Sequence, residues 1–216
     1  MTPDLFSDVE QPPRTLGIGR EAFVLRGFAL DFADRLLAPL NQVMTLAPLR
    51  HLVTPSGLSL SASTTCCGAL GWISDRFGYR YSAFDPLSGQ PWPSMPEVFL
   101  DLAGQAAAVA GFAAFVPDAC LINCYRPGAG MGLHQDRDER HFAAPIVSVS
   151  LGLPATFLFG GHQRSDKPAR ISLLHGDVVV WGGVDRLRFH GVMPIKEGVH
   201  PIMGPQRINL TFRTAG

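Results

Sequence analysis

From about residue 115 to the C-terminus the chain breaks into short strand-like runs punctuated by Gly and Pro, with no helical pattern between them. ACLINCY, PIVSVSLGL, ATFLFGG, ARISLLHGDVVVWGG, RFHGVM and QRINLTFRT are each β-branched or alternating. Many short strands at regular spacing predict an antiparallel sandwich or jelly roll. Alternation also sorts the side chains by face. In ACLINCY, Leu121, Asn123 and Tyr125 point one way, and Cys120, Ile122 and Cys124 the other. In QRINLTFR, Arg207, Asn209, Thr211 and Arg213 share a face opposite Ile208, Leu210 and Phe212. For either strand taken alone, the plain expectation is a solvated polar face over a packed apolar one.

Two helices precede these strands. Leu36, Leu37, Leu40, Val43 and Met44 recur at helical spacing from Phe32 to Leu46, and Pro39 predicts a late start or a bend. Ser94 and Glu97 fit a capping box, after which VFLDLAGQAAAVA runs apolar until Gly111 stops it. Helices early and strands late predict a mainly β, α+β chain with its helices packed outside the sheet. At 216 residues, 46% hydrophobic and 17% charged, the chain suits one large domain with a sizeable core.

Bulk properties exclude some classes and leave others open. No apolar run is long enough to span a bilayer, and MTPDLFSDVEQPPR lacks the apolar stretch of a signal peptide, so a cytoplasmic location is expected. Net charge is zero, so a nucleic-acid partner would have to be met by a local patch. Cys66, Cys67, Cys120 and Cys124 form no CxxC pair, which predicts reduced thiols, two of them buried.

The stretch LHQDRDE carries the chemistry. His134 and Asp136 are two apart, so on an extended segment both leave the same face. With a histidine from a later strand they would form a 2-His-1-carboxylate triad, the open-sided arrangement of non-haem Fe(II) oxygenases. His190, in RFHGV, is the natural third ligand. A competing HxD, His175-Gly176-Asp177, reads as a turn leading into VVVWGG. Arg207 and Arg213 lie six residues apart on one face, about 20 Å of strand. Their arms could reach toward each other and hold both ends of a short dicarboxylate such as 2-oxoglutarate.

Taken together, NCYRPGAGMGLHQDRDE, PIVSVSLGLPATFLFGG, HGDVVVWGG, RFHGV and RINLTFR resemble the bacterial AlkB family, with a likeness running from DLFSD near the start to the C-terminus. The resemblance implies an Fe(II)- and 2-oxoglutarate-dependent dioxygenase that uses O2 and repairs alkylated bases. It implies a double-stranded β-helix core over residues 115–216, preceded by helices and a nucleotide-recognition lid over residues 1–114, in one integrated domain. By position it makes His134, Asp136 and His190 the iron ligands, and Asn123, Tyr125, Arg207, Asn209 and Arg213 the 2-oxoglutarate contacts. Trp72, Tyr79 and Tyr81 fall in the lid, where Trp72 would stack on a flipped-out base whose other face meets His134. Asp138 would face the exocyclic nitrogen of that base. Arg164 matches a substrate-contacting position, and with Lys167 and Arg170 in HQRSDKPAR it supplies a small basic cluster.

The implied reaction is oxidative demethylation of 1-methyladenine and 3-methylcytosine, yielding formaldehyde, succinate and CO2. The implied partner is alkylated single-stranded DNA, with double-stranded DNA and RNA as further candidates, met by a monomer without membrane or obligate protein partner. GLSLSASTTCCG, leading into the lid, offers few bulky groups to hold a base. Two alternatives stay open from the residues themselves: a 2-oxoglutarate hydroxylase for a small molecule or protein side chain, and a non-catalytic β-helix binding domain.

Overall fold

In the computed structural model, which describes residues 14–216, the strand-rich second half builds a jelly roll that also draws strands from the first half. The early strands are β1 (Thr15–Gly17), β2 (Ala22–Leu25), β3 (Ser63–Gly68), β4 (Gly71–Asp75) and β5 (Gly78–Ser82). The later ones are β6 (Ala119–Tyr125), β7 (Met131–His134), β8 (Ile146–Gly152) and β9 (Ala155–Phe159), then β10 (Ala169–Leu173), β11 (Val178–Trp181), β12 (His190–Val192) and β13 (Arg207–Arg213). The large sheet runs β1-β2-β11-β8-β13-β6-β3 and the small one β10-β9-β12-β7, with β4 and β5 forming a separate hairpin. DLFSD and the rest of the first thirteen residues lie outside the described part.

Helix α1 (Ala33–Leu46) follows a 3-10 turn at Phe28–Phe32, and α2 (Glu97–Val109) follows the β4–β5 hairpin. Pro39 neither delays nor ends α1, which runs through it. The capping box expected at Ser94 does not form. The N-cap is Pro96, whose carbonyl accepts from the N–H groups of Phe99 and Leu100, so Glu97 stands at the first helical position and cannot reach back as a third-position residue would.

Both helices cover the outer face of the large sheet. Leu36, Leu40 and Phe99 pack there with Ile122, Ile208, Leu210 and Phe212, the odd–even partition that the alternation predicts. The rings of Phe99 and Phe212 meet edge-on at 5.9 Å. Between the two sheets, one end is filled by Phe157, Phe159, Ile171 and Trp181, and the other end is left to polar side chains. The polar face of β13 is therefore not solvated: Arg207, Asn209, Thr211 and Arg213 are all buried, because β8 and β6 flank the strand and the small sheet covers its inner face. All four cysteines are reduced and buried, two more than expected, since β3 pairs with β6, places Cys67 opposite Cys120, and is covered on both faces. No helix among the described residues is long and apolar enough to cross a membrane.

Candidate active site

Strand pairing brings the proposed metal ligands together. β12 lies between β9 and β7 with His190 opposite His134, while Asp136 follows β7 by two residues. His134 Nε2 stands 3.5 Å from one Asp136 oxygen and His190 Nε2 3.6 Å from the other. One ligand atom from each residue lies within 4.8 Å of the other two. Each histidine points its Nδ1 at a backbone carbonyl, His134 at Gly132 and His190 at Arg188. A carbonyl only accepts, so Nδ1 carries the proton and the Nε2 lone pair of both rings is free for a metal.

The electrostatics favour the ligating forms of Asp136 and His190. Desolvation opposes charge on Asp136, yet the Arg213 guanidinium and the two histidines hold its carboxyl well below the usual carboxylate range. Arg213 Nη2 and Nε donate to Asp136 at 2.6 and 3.1 Å. Desolvation and the neighbouring His134 push His190 down and keep it neutral. His134 is desolvated too, but the hydrogen bond and charge of Asp136 outweigh that and raise it.

Across the cavity sits a buried cation with little to hold it. Arg207 is 1% exposed and donates to Ser150 Oγ at 2.8 Å, while its Nε and Nη1 have no partner. Burial lowers its pKa to about 10, the cost of a guanidinium with no carboxylate against it. Asn123 Oδ1 is likewise buried and unpaired. The Tyr125 hydroxyl makes only a 3.9 Å contact to the Met131 sulfur. Asn209 is more committed: its amide donates to Ser148 and Val149, and its oxygen accepts from Thr211. A His-Asp-His cluster facing a guanidinium with two unpaired nitrogens fits a divalent metal and a dicarboxylate, since the two orphaned Arg207 donors find acceptors in a carboxylate and the three ligand atoms converge on one point.

Arg207 and Arg213 do not reach toward each other as a symmetric clamp. Arg213 is already engaged by Asp136, and also by Glu139 at 3.2 Å. Glu139 is buried and accepts from the Tyr81 hydroxyl at 2.9 Å. Its other oxygen lies 3.2 Å from Arg186 Nη2, within ion-pair reach but without hydrogen-bond alignment. Arg186 in turn donates to the Asp136 carbonyl. Glu139, Arg186, Ser148 and Ser150 carry no role in the sequence reading. The two serines were within reach of it, because they alternate with Val147 and Val149 in IVSVSLG.

The residues expected in the lid line a cavity of about 830 Å³ together with the His-Asp-His cluster. Trp72 on β4 stacks on Tyr79 of β5 at 5.6 Å, 10° from parallel, and its indole N–H donates to Asp138 Oδ2 at 2.8 Å. Tyr81, Asp138 and the exposed Arg164 also line this cavity, so the structure gathers every site residue named from the sequence around one opening. Lys167 and Arg170 stand exposed nearby, on the β9–β10 connection and the start of β10. GLSLSASTTCCG is no featureless approach to the lid: its second half is β3 at the edge of the large sheet, and Leu58, Leu60 and Thr64 line the cavity wall. The rival HxD does serve a turn, with Asp177 accepting from Gly27, Leu174 and Arg26.

The sequence model of the 2OG-Fe(II) oxygenase superfamily matches residues 23–213. The chain is 52% identical over 213 residues to the alpha-ketoglutarate-dependent dioxygenase AlkB of Escherichia coli, covering 99% of this chain and 98% of that protein. It is 33% identical over 132 residues to the human nucleic acid dioxygenase ALKBH1, covering 60% of this chain but 34% of that one. Among solved structures, OsALKBH1 superposes with a TM-score of 0.77 at 29% identity, covering 93% of this chain and 99% of that one.

Proposed function

Because this chain belongs to the AlkB family within the 2OG-Fe(II) oxygenase superfamily, we propose that it oxidatively removes N-linked methyl groups from damaged nucleic-acid bases, 1-methyladenine and 3-methylcytosine foremost. It is an Fe(II)- and 2-oxoglutarate-dependent dioxygenase. The observation that carries the substrate reading is that the His134–Asp136–His190 cluster and the unpaired Arg207 share one cavity with a stacking Trp72 and an acidic Asp138 at its mouth.

In this reading His134, Asp136 and His190 hold the iron through two neutral imidazoles and one carboxylate. Bound there with 2-oxoglutarate and O2, Fe(II) supplies the oxidant that turns an N-methyl C–H bond into C–OH, while the co-substrate leaves as succinate and CO2. Arg207 receives the far carboxylate of 2-oxoglutarate and so neutralises a guanidinium that is otherwise alone. The Tyr125 hydroxyl and Asn123 supply neutral contacts along the co-substrate, Asn209 orients Ser148 and Thr211 beside it, and Arg213 steadies Asp136. Trp72 offers an aromatic face on which an extracted base can stack, and this recovers part of the unstacking cost. Asp138 keeps Oδ1 free to accept from an exocyclic amino group, and its charge attracts the cationic lesions. The N-hydroxymethyl product needs no nucleophile from the protein: the hydroxyl proton passes to solvent, the C–N bond breaks, nitrogen keeps the electron pair, and formaldehyde departs.

Arg164 at the mouth contacts a flanking phosphate. The preferred partner in this reading is alkylated single-stranded DNA. The chain works as a monomer in the cytoplasm, as one domain in which residues 1–114 supply the lid and also lend β1, β2 and β3 to the oxygenase core built mainly from 115–216.

Anaerobic reconstitution with Fe(II) and 2-oxoglutarate, followed by air and mass spectrometry of a 3-methylcytosine oligonucleotide, tests the proposal. Loss of one methyl group with stoichiometric succinate is expected, and His190→Ala should abolish both. Succinate release that no alkylated DNA or RNA stimulates would move the substrate to a small molecule or protein side chain. Iron binding and turnover that survive His190→Ala would overturn the triad.

A further inference from the structure

The acidic metal ligand stands on an irregular stretch. Asp136 belongs to residues 135–145 between β7 and β8, which form neither helix nor strand. β7 itself is an edge strand of the small sheet, paired with β12 through His134–His190 and Met131–Val192, with a register shift between those pairs. Loops place functional groups less precisely than strands do, so this short ladder does not fix where the Asp136 carboxylate points. Arg213 ties the loop to β13 of the large sheet, whereas both histidines stand on the small sheet. Asp136 therefore needs a second tie, to the side that carries His190.

Arg186 supplies it. This arginine is 2% exposed and directly follows the short 3-10 turn Gly183–Asp185, four residues before His190. Its guanidinium reaches the loop at three places. Nη1 donates to the Asp136 carbonyl at 2.8 Å, Nε donates to the Ala144 carbonyl at 3.2 Å, and Nη2 stands 3.2 Å from Glu139 Oε2. One side chain thus holds the start, middle and end of the loop. Beside it, Gln135 Nε2 donates to the Leu187 carbonyl at 2.5 Å. The anchor is itself fixed: the buried Asp185 accepts from the Glu21 N–H at 2.6 Å and from Arg188 Nη1 at 3.1 Å. The Arg188 carbonyl in turn orients His190 through Nδ1, at 3.0 Å.

Stability does not account for this arrangement. A buried guanidinium whose carboxylate neighbour is out of hydrogen-bond alignment gains little over a hydrophobic side chain of similar volume. What it does provide is reach: the planar fork spans three separate acceptors, which the compact ammonium of a lysine cannot do. We propose that Arg186 is a positioning residue for the metal: it fixes Asp136 relative to His190 and so sets how tightly the cluster holds a divalent ion. The proposal rests on the reading of His134, Asp136 and His190 as metal ligands and is independent of the substrate.

The test measures Mn(II) affinity by titration calorimetry and ligand-free melting by circular dichroism, on the full chain and on Arg186→Lys and Arg186→Ala. Arg186→Lys keeps a charge beside Glu139 but cannot span the two carbonyls. Its Mn(II) affinity should fall about tenfold or more, the range for lost groups that orient metal ligands, while cooperative melting is retained. In Arg186→Ala, low-millimolar guanidinium chloride should restore Mn(II) binding, and the same concentration of sodium chloride should not. Raising Fe(II) should also return the initial rate of succinate release by Arg186→Lys toward that of the parent, a recovery that misfolding does not allow. Unchanged Mn(II) affinity in a folded Arg186→Lys would overturn the proposal and leave the triad standing. Weakened binding that follows a loss of cooperative melting in both variants, without rescue by guanidinium, would also overturn it, assigning Arg186 to folding. A parent chain that binds no Mn(II) would remove the triad and the role of Arg186 together.

Discussion

Arg207 shows what a single residue can reveal. A guanidinium 1% exposed, with two nitrogens unpaired and no carboxylate in contact, is a destabilising feature of the ligand-free protein. Replacing it with methionine removes that cost and with it the counter-charge for 2-oxoglutarate. Arg207→Met should therefore melt at the same temperature as the parent or higher without ligand, yet lose the thermal shift that 2-oxoglutarate with Mn(II) produces in the parent. Its KM for 2-oxoglutarate should rise on the order of 10- to 100-fold, the scale of a charge-assisted hydrogen bond. A large drop in ligand-free melting temperature would show that the arginine is structural. Period-two alternation was enough to put Arg207 with Arg213 on one face of their strand and Asn123 with Tyr125 on one face of theirs. It could not show that the face is buried, nor that Arg213 is committed to Asp136 and Glu139. Those partners come from the loop after β7, and nothing in its local sequence states where it travels.

At the scale of elements, the metal cluster depends on how closely β12 approaches β7. The register shifts between His190 and Val192, and a Cβ added at Gly191 would stand 2.7 Å from the Met131 carbonyl and 3.1 Å from Gly132. Both are backbone atoms and cannot swing away. Gly191→Ala should push the two histidine-bearing strands apart and weaken Mn(II) binding by roughly tenfold or more, the range seen when groups supporting metal ligands are lost. Titration calorimetry would measure it, and unchanged affinity would mean the ladder yields without cost. A different junction governs acid sensitivity. The Gly152 N–H donates to His175 Nδ1 at 2.9 Å, and the His200 ring lies 4.4 Å away. Burial first, then His200, holds His175 below its ordinary 6.5. The unfolded chain then binds the proton more readily, so stability is full above about pH 6.5 and falls as the pH drops below it. Melting temperature should decline from roughly pH 7.5 to 5.5, less steeply in His175→Asn, whose side-chain oxygen can still accept from Gly152. Equal slopes would exclude His175 as the group responsible. Element boundaries were legible where strands alternate over five or more residues, as in β6, β8 and β13. They were not in β3, whose STTCCG looks like a small-residue loop, or in β7, which hides in a glycine-rich run. Both become strands because β6 and β12 supply ladder partners from far along the chain.

For the whole molecule, the jelly roll separates two tasks that one sequence pattern encodes together. Its outer face is sealed by α1 and α2, so the cavity between the sheets can tolerate buried charge without exposing core. Total charge is zero, so attraction to a polyanion depends on where cations sit and not on how many there are. Arg164, Lys167 and Arg170 cluster on the β9–β10 connection and the start of β10, all exposed, and Arg164 reaches the cavity mouth. Each cation that meets a phosphate of a single strand adds about 0.7 to the slope of log affinity against log salt. Removing all three should flatten that slope by about 2, so their share of the affinity loss between 50 and 200 mM salt is roughly twentyfold. Fluorescence anisotropy with a single-stranded oligonucleotide, for parent and triple alanine variant, reads both slopes directly. A parallel pair of lines would place the phosphate contacts elsewhere, with the hairpin cations Arg76 and Arg80 the next to vary. A flattened slope with undiminished turnover at saturating oligonucleotide would assign the cluster to capture alone, leaving the chemistry to the cavity between the sheets.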